Sequence, residues 1–244
     1  MSTTPPPSGP GYGTPPPPSD PSGPGPGSAP GWSVGKALNY GLTKFLDNLG
    51  QILLAALLLF LASIIGFAIG VPIRAALNNN ASGFIATDLS GAIGQFVYIA
   101  IVWVVQAAII RGALDITEGR RFQVSGLFSR LPIGNVLLAG LLVSIITAIG
   151  TALFFIPGVI AWFLLLFTPF FVVDRDMSAV DAMKASVGLA TKNLGNMLVW
   201  VIVGGIVYLL GYCILCIGFI VTGPIVLIGA AYTYKKFTDQ PVAA

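Results

Sequence analysis

The chain has 244 residues, of which 55% are hydrophobic and only 9% are charged, and its formal net charge is +3. Soluble domains carry roughly 25% charged residues, so this composition excludes an ordinary soluble domain and is typical of an integral membrane protein. The sequence contains no histidine, so it lacks the commonest general base and metal ligand. Its few positive charges form no patch suited to nucleic acid.

The N-terminal segment, residues 1–31, differs in composition from everything that follows. It holds 12 of the 18 prolines, seven glycines and no lysine or arginine. Such a segment buries too little apolar surface to offset its loss of chain entropy, so we expect a disordered cytoplasmic tail. A tail of this kind suits either a plain spacer or the recruitment of a cytoplasmic protein partner.

Four long apolar runs follow the tail, and two of them are long enough to cross a bilayer twice. Residues 133–173 and 197–234 each correspond to roughly 60 Å of helix, about twice the thickness of a bilayer core. We therefore expect a six-span membrane domain over residues 32–237 and a short C-terminal tail over 238–244. The predicted spans are residues 52–73, 92–110, 133–155, 158–173, 197–215 and 218–234.

Positive charge is distributed unevenly around these spans. Eleven of the 12 lysines and arginines fall on one set of connectors and termini, and only Arg74 falls on the other set. Because cytoplasmic loops carry the excess of basic residues, both termini are predicted to be cytoplasmic. The sequence thus indicates a multi-pass protein of the bacterial plasma membrane.

Three spans open with the same local pattern of glycine, amide and aliphatic residues. The pattern occurs at Gly50-Gln51, Gly134-Asn135 and Gly195-Asn196, each time after a stretch with helical periodicity. Those stretches, Leu38–Leu49, Val124–Leu131 and Met183–Leu194, fit amphipathic helices lying at the inner leaflet. The predicted fold is an all-α, six-helix bundle built as three units of interfacial helix plus helical hairpin. The alternative is chance similarity among apolar segments.

Two small motifs are the structural candidates within the apolar runs. Pro157 and Gly158 are expected to break the third run into two spans. Cys213 and Cys216 have the spacing of a redox or metal motif, but they lie at the outer end of an apolar helix without a histidine nearby. Structural cysteines are the favoured interpretation, and an outward-facing disulfide is the alternative.

The acidic residues Asp174, Asp176 and Asp181 form the one acidic cluster. Paired carboxylates can bind a metal or act as acid and base. At the rim of a span, however, charges commonly face solvent and pair with lysines, and we favour that interpretation. The sequence therefore predicts no catalytic residue, no cofactor and no metal site.

The absence of charge inside the predicted spans bears most directly on function. Intramembrane ionisable groups mark proton relays and ion paths, so their absence argues against a proton-coupled transporter. A non-enzymatic scaffold or accessory subunit that recruits partners through its tail is the leading hypothesis. The alternative is a passive or lipid-directed small-molecule transporter. A polar, water-filled cavity that reaches the middle of the membrane near Gln51, Gln95, Gln106 or Asn135, or a lateral groove, would favour transport, and a tightly packed bundle would favour the scaffold.

The region from Phe155 to Ser186 also carries a resemblance to known membrane proteins. Phe155-Ile156-Pro157-Gly158, then Pro169, then Val172-Val173-Asp174, then Ser178 to Ser186 resemble a pattern in YciC-like proteins and in the membrane domain of some glycerophosphodiester phosphodiesterases. The proline- and glycine-rich head is similar to that of actinobacterial proline/glycine-rich integral membrane proteins. The resemblance, over about residues 36–237, implies a six-span membrane domain without transferable catalytic residues and without phosphodiesterase activity.

Overall fold

The computed structural model describes residues 31–79, 84–128, 130–213 and 218–243. These residues contain nine α-helices, one 3-10 turn and no strand, so the predicted all-α class is confirmed for them. The predicted disordered tail lies outside them, except for Gly31. The helices are α1 (Val34–Asp47), α2 (Leu49–Asn79), α3 (Phe84–Thr117), α4 (Ile133–Leu153), α5 (Phe155–Leu165), α6 (Thr168–Arg175), α7 (Ala179–Lys192), α8 (Leu194–Cys213) and α9 (Phe219–Phe237).

Five helical stretches in this part of the chain are long and apolar enough to cross a membrane. They are Leu49–Ile69, Tyr98–Thr117, Ile133–Leu153, Phe155–Arg175 and Leu194–Gly211. Helix α9, which contains the sixth predicted span, is not among them. Its last two turns carry polar residues and two lysines, Lys235 and Lys236, which lower its average hydropathy.

The hairpin of α4 and α5 turns within a single residue. Phe154 adopts an extended backbone conformation between the two helices, and Pro157 is the third residue of α5. Proline is tolerated in the first turn of a helix, where its missing N–H would have no intrahelical partner. A Cβ atom on Gly158 would overlap the hydroxyl of Thr151, so glycine here lets the two helices approach closely. The break therefore begins three residues before Pro157.

The span predicted over residues 158–173 is interrupted where α5 ends and α6 begins. The backbone N–H of Phe167 donates to Ser186 Oγ at 3.2 Å, and the Ser186 hydroxyl donates to the carbonyl of Leu164 at 2.8 Å. A side chain of α7 thus satisfies backbone groups that the interruption releases. Pro169 follows at the start of α6.

Helices α1 and α7 occupy two of the three predicted amphipathic stretches. Ser33 accepts a hydrogen bond from the backbone of Lys36, and Ser178 accepts one from the backbone of Asp181. The capping role predicted for Ser178 is confirmed, since its hydroxyl also donates to the Asp181 carboxylate at 2.6 Å. These serines fix where both helices begin.

Two details of the amphipathic prediction are wrong. Phe45 of α1, expected on the membrane-facing stripe, is only 2% exposed and packs in the protein core, whereas Leu42 is 45% exposed. The described residues of the stretch 124–131 form no α-helix and include a 3-10 turn, Val124–Gly126. That stretch is short, contains Gly126 and is followed by Pro132. Phe122, just before it, and Leu127, within it, are buried in the core. Short isolated helices are marginal, so burial of these side chains decides the backbone path.

Both ends of the described chain meet at one end of the bundle. The indole N–H of Trp32, just before α1, donates to Thr233 Oγ1 of α9 at 3.2 Å, and the Trp32 ring lies 5.2 Å from the ring of Phe237. After α9, the backbone N–H of Ala243 donates to the carbonyl of Thr117 at 2.8 Å. We call this end, where α1 meets the C-terminal ends of α3, α6 and α9, the basic end.

Candidate functional sites

A charged network built on α3 occupies the basic end. Arg111, Asp115 and Glu118 recur at spacings of four and three residues, which places them on one face of a helix. The guanidinium of Arg111 binds Asp115 Oδ1 at 2.7 Å and Glu118 Oε2 at 3.5 Å. It also donates to the backbone carbonyl of Val173 in α6, the residue before Asp174, at 3.4 Å. The network therefore ties α3 to α6.

Lys235 of α9 joins the same network from the opposite side. Its side chain is 3% exposed, and Nζ donates to Glu118 Oε1 at 2.8 Å, Asp174 Oδ1 at 2.7 Å and Gln240 Oε1 at 2.7 Å. A lysine has three N–H donors, so this buried ammonium is fully hydrogen-bonded. The second oxygen of Asp174 accepts from Tyr234 at 2.9 Å and Gln240 at 3.1 Å.

The predicted solvated rim is therefore wrong for Asp174, although its pairing with a lysine was anticipated. Its side chain is 6% exposed and lies between α3 and α9. Asp176 and Asp181 are exposed and lie outside the network. Asp176 ends α6 in a left-handed conformation with φ of 49°, which aspartate tolerates better than most residues. The acidic cluster of the sequence is thus divided in the structure.

Beside the network lies a cavity of about 730 Å³ that we call the corner cavity. Its wall is formed by the junction of α1 and α2, the end of α3 and the segment that follows α3. Lys44, Arg120 and Arg121 are its basic residues, and Asp47 is its acidic residue. Amide side chains and an apolar floor complete the wall, namely Asn48, Gln51, Gln123, Leu49, Ile116 and Phe122.

Arg120 belongs to both the network and the corner cavity. Its Nε atom donates to Asp115 Oδ1 at 3.1 Å, and its guanidinium also pairs with Glu118. The hydrogen bond that Arg120 donates to Asp115 raises the pKa of Arg120 above its ordinary value, with burial acting in the opposite direction. The guanidinium is thus charged and held in one orientation at the cavity wall.

A second cavity is a lateral groove between α3, α4 and α5, in the half of α4 far from the basic end. Its volume is about 640 Å³. Trp103 and Trp162 stand on its walls, and a row of hydroxyl side chains lines it, from Ser144, Thr147 and Thr151. Gly140 makes room for the Trp103 indole, because a Cβ atom there would lie 2.7 Å from Trp103 Cδ2.

The four amides singled out in the sequence do not come together. Gln51 lines the corner cavity, in the first turn of α2. Gln106 is exposed and Asn135 is half-buried, and neither lines the lateral groove. The side chain of Gln95 lies outside the described residues. The structure thus has a polar cavity at Gln51 and a separate groove.

Three of the four predicted structural candidates, Pro157, Gly158 and Cys213, lie within the described residues. Pro157 and Gly158 lie in the first turn of α5, after the α4–α5 turn. Cys213 is exposed at the end of α8. Cys216 lies outside the described residues, so the outward-facing disulfide stays a prediction.

The sequence reasoning missed the charged network, although one signal for it was present. Arg111, Asp115 and Glu118 follow the helical spacing of ion pairs within one helix. The contacts to Asp174 and Lys235 join residues 60 to 120 positions apart in the chain. No local pattern indicates these contacts.

The sequence is related to proteins of mycobacteria. Over 229 residues it is 30% identical to the uncharacterized protein Rv2560 of Mycobacterium tuberculosis, an alignment that covers 87% of this chain and 70% of that protein. The chain belongs to the Rv2560 family. The uncharacterized protein Mb2590 of Mycobacterium bovis is similar to it with the same identity and coverage. No family model matches the chain, and no solved structure matches it.

Proposed function

We propose that this chain is a six-span protein of the bacterial plasma membrane with both termini in the cytoplasm. The packing of Trp32 against Thr233 and Phe237 supports an even number of crossings, because it brings the start of α1 and the end of α9 to one end of the bundle. The excess of positive charge on the same connectors supports a cytoplasmic basic end. In this arrangement α1 and α7 each precede a helical hairpin, and the middle hairpin follows a 3-10 turn instead.

We further propose that the protein is a passive, lipid-directed carrier, and the lateral groove carries this proposal. The groove lies along stretches of α3, α4 and α5 that are apolar enough to span a membrane. Its volume falls within the roughly 300–1,000 Å³ range of small-molecule sites. Bilayer lipids would surround it on its open side, so an amphiphile can enter from the membrane without crossing a polar barrier.

The chemistry of the groove wall supports an amphiphilic occupant. The two tryptophans offer apolar and aromatic surface, and hydroxyls face the same space. The Thr147 hydroxyl is buried and has no hydrogen-bond partner among the described residues, so it is an unsatisfied polar group beside the groove. Passive movement is favoured over proton coupling because charged side chains are absent from the middle of the predicted spans.

The scaffold hypothesis rests on a different part of the chain. It depends on recruitment of a cytoplasmic partner by residues 1–31, nearly all of which lie outside the described residues. It stays a prediction from composition, while the groove supports the lipid-directed alternative.

A reconstituted system tests the carrier proposal. Purified protein in phosphatidylcholine vesicles should accelerate the movement of a fluorescent phospholipid between leaflets, measured by a membrane-impermeant quencher. Ala148→Trp should fill the groove, since Ala148 lines it, and should lower the rate at least several-fold. Ile149→Trp is the matched control, because Ile149 is an exposed neighbour on α4 and does not line the groove.

Two results would contradict the proposal. One is a wild-type rate equal to that of protein-free vesicles. The other is an equal loss of rate in the Ala148 and Ile149 variants, both shown by gel filtration to be folded.

A further inference from the structure

We propose that the corner cavity binds a phosphodiester anion, and that the headgroup of an anionic phospholipid is its source. The inference rests on the proposed function in one respect, namely that the basic end of the bundle lies at the cytoplasmic surface of the membrane. It goes beyond that function because the corner cavity is separate from the lateral groove and has different chemistry.

The position of the cavity points to a ligand at the membrane surface. One wall is formed where α1 ends and the membrane-spanning stretch of α2 begins, at residues 44–51. The other wall is formed where the spanning stretch of α3 ends, at residues 116–123. A cavity at the ends of two spans and beside an interfacial helix lies at the depth of lipid headgroups.

The charges of the wall point to an anion. The basic residues of the network, Arg111, Arg120 and Lys235 together with Arg175 at its edge, already pair with Asp115, Glu118 and Asp174. The remaining charged residues of the described wall are Lys44, Arg121 and Asp47, which leaves one positive charge in excess. A phosphodiester carries one negative charge, so it matches this excess better than a phosphomonoester, which carries close to two.

The donors of the wall suit phosphate oxygens. The carboxylates of Asp115 and Glu118 hold the Arg120 guanidinium through Nε and one terminal nitrogen. A guanidinium has five N–H donors in a rigid fork, so the other terminal nitrogen keeps its donors for a ligand. Arg121 forms no ion pair among the described residues and is exposed at the same cavity. The amides of Asn48, Gln51 and Gln123 add neutral donors.

The floor of the cavity favours a lipid over a soluble phosphodiester. Ile116 and Phe122 are buried apolar residues beneath the polar wall, and Leu49 is an exposed apolar residue at the start of α2. The glycerol of a lipid and the first carbons of its chains would contact the exposed Leu49 side chain, while a small soluble anion would leave that side chain in contact with water.

The experiment uses the full-length protein in detergent, stripped of lipid, and measures binding by native mass spectrometry. Phosphatidylglycerol should bind at least tenfold more tightly than phosphatidylcholine. The double variant Lys44→Gln with Arg121→Gln should lose that preference. The matched control, Lys184→Gln with Lys192→Gln, removes the same charge from exposed positions on α7 and should keep it.

A soluble probe, glycerophosphoglycerol, distinguishes the two sources of the anion. If it competes only at concentrations far above those of phosphatidylglycerol, the lipid is the source. If glycerophosphoglycerol binds as tightly as phosphatidylglycerol, and the Lys44 and Arg121 variant no longer binds it, the phosphodiester site stands and the source of the anion is soluble. The inference would be overturned if the Lys44 and Arg121 variant and the Lys184 and Lys192 variant lost phosphatidylglycerol binding equally. It would also be overturned if the wild-type protein showed no preference for phosphatidylglycerol.

This result can be separated from the test of the carrier proposal. Lipid movement in pure phosphatidylcholine vesicles depends on the groove and not on an anionic headgroup. Retained movement without phosphatidylglycerol binding would overturn the inference alone. Retained binding without movement would overturn the proposed function alone.

Discussion

Lys235 shows how this protein places a charge in its interior. A buried ion pair pays a large desolvation penalty and is stable only when its geometry is good and its remaining donors are satisfied. Lys235 meets that condition, since its three donors reach Glu118, Asp174 and Gln240. The neighbouring Lys236 instead lies over the ring of Tyr232 at 5.8 Å and is half-buried.

The difference between these two lysines gives a residue-scale prediction. Lys235→Met should destabilise the protein by about 3–5 kcal/mol, because it leaves the buried carboxylate of Asp174 without the ammonium that binds it. Lys236→Met should cost about 1 kcal/mol, because it removes a single cation–π contact at a half-buried position and leaves no buried charge unpaired. Denaturant unfolding in detergent, followed by tryptophan fluorescence, measures both. Similar losses in the two variants would show that the network does not hold the basic end together.

At this scale the sequence reveals side-chain spacing but not side-chain partners. The helical spacing of Arg111, Asp115 and Glu118 can be read directly. The burial of Asp174 cannot, because its partners Lys235 and Gln240 follow it by 61 and 66 positions. Phe45 illustrates the same limit, since its periodicity fits a membrane-facing stripe and its burial follows from packing in the core around α9.

Among the helices, the elements with long apolar runs were the most predictable. Helices α2, α3 and α8 each contain the described residues of a predicted span. Helix α4 contains residues 133–153 of the span predicted over 133–155, which therefore ends two residues earlier than expected. The interruption between α5 and α6 was not predicted, because it depends on Ser186 of α7. Residues 124–131 were predicted as a helix, but the described ones form no α-helix, and Leu127 of this stretch is buried in the core together with the preceding Phe122.

The contact of α1 with α9 gives a prediction about an element. A Cβ atom on Gly41 would overlap the carbonyl oxygen of Ile225, so Gly41→Ala should push α1 away from α9. Overpacking of this kind costs about 1–3 kcal/mol. Gly35→Ala is the matched control on the same helix, since nothing lies within 4 Å of its added Cβ atom.

Alanine favours a helix more than glycine by up to about 1 kcal/mol, so the Gly35 variant should be neutral or more stable. The unfolding midpoint in detergent measures both variants, and protease cleavage within residues 31–48 reports the release of α1. If Gly41→Ala were as stable and as protease-resistant as Gly35→Ala, close packing of α1 on α9 would be ruled out.

For the whole molecule, composition and charge predicted an all-α membrane protein more securely than they predicted its sites. The corner cavity requires residues 44–51 to face residues 116–123, and the groove requires three helices to diverge. Both are properties of packing between distant segments. They favour lipid-directed function over the scaffold that the proline-rich tail suggested.

The positions of Trp32 and Ala243, near the two ends of the described part of the chain, bear most directly on how the bundle lies in the membrane. Both the depth assigned to the corner cavity and the exposure of the groove to lipid follow from a bundle whose basic end is cytoplasmic. Single cysteines in a variant without Cys213 and Cys216 measure this directly, through labelling by a membrane-impermeant thiol reagent in intact cells and in inverted vesicles.

Cysteines replacing Gly35 and Thr238 should react only in inverted vesicles, because both lie at the basic end. Cysteines replacing Asn79 and Phe154, which end α2 and α4, should react only in intact cells. Labelling of Gly35 and Thr238 variants from opposite sides, or of the Asn79 variant only from the cytoplasm, would contradict the six-span arrangement.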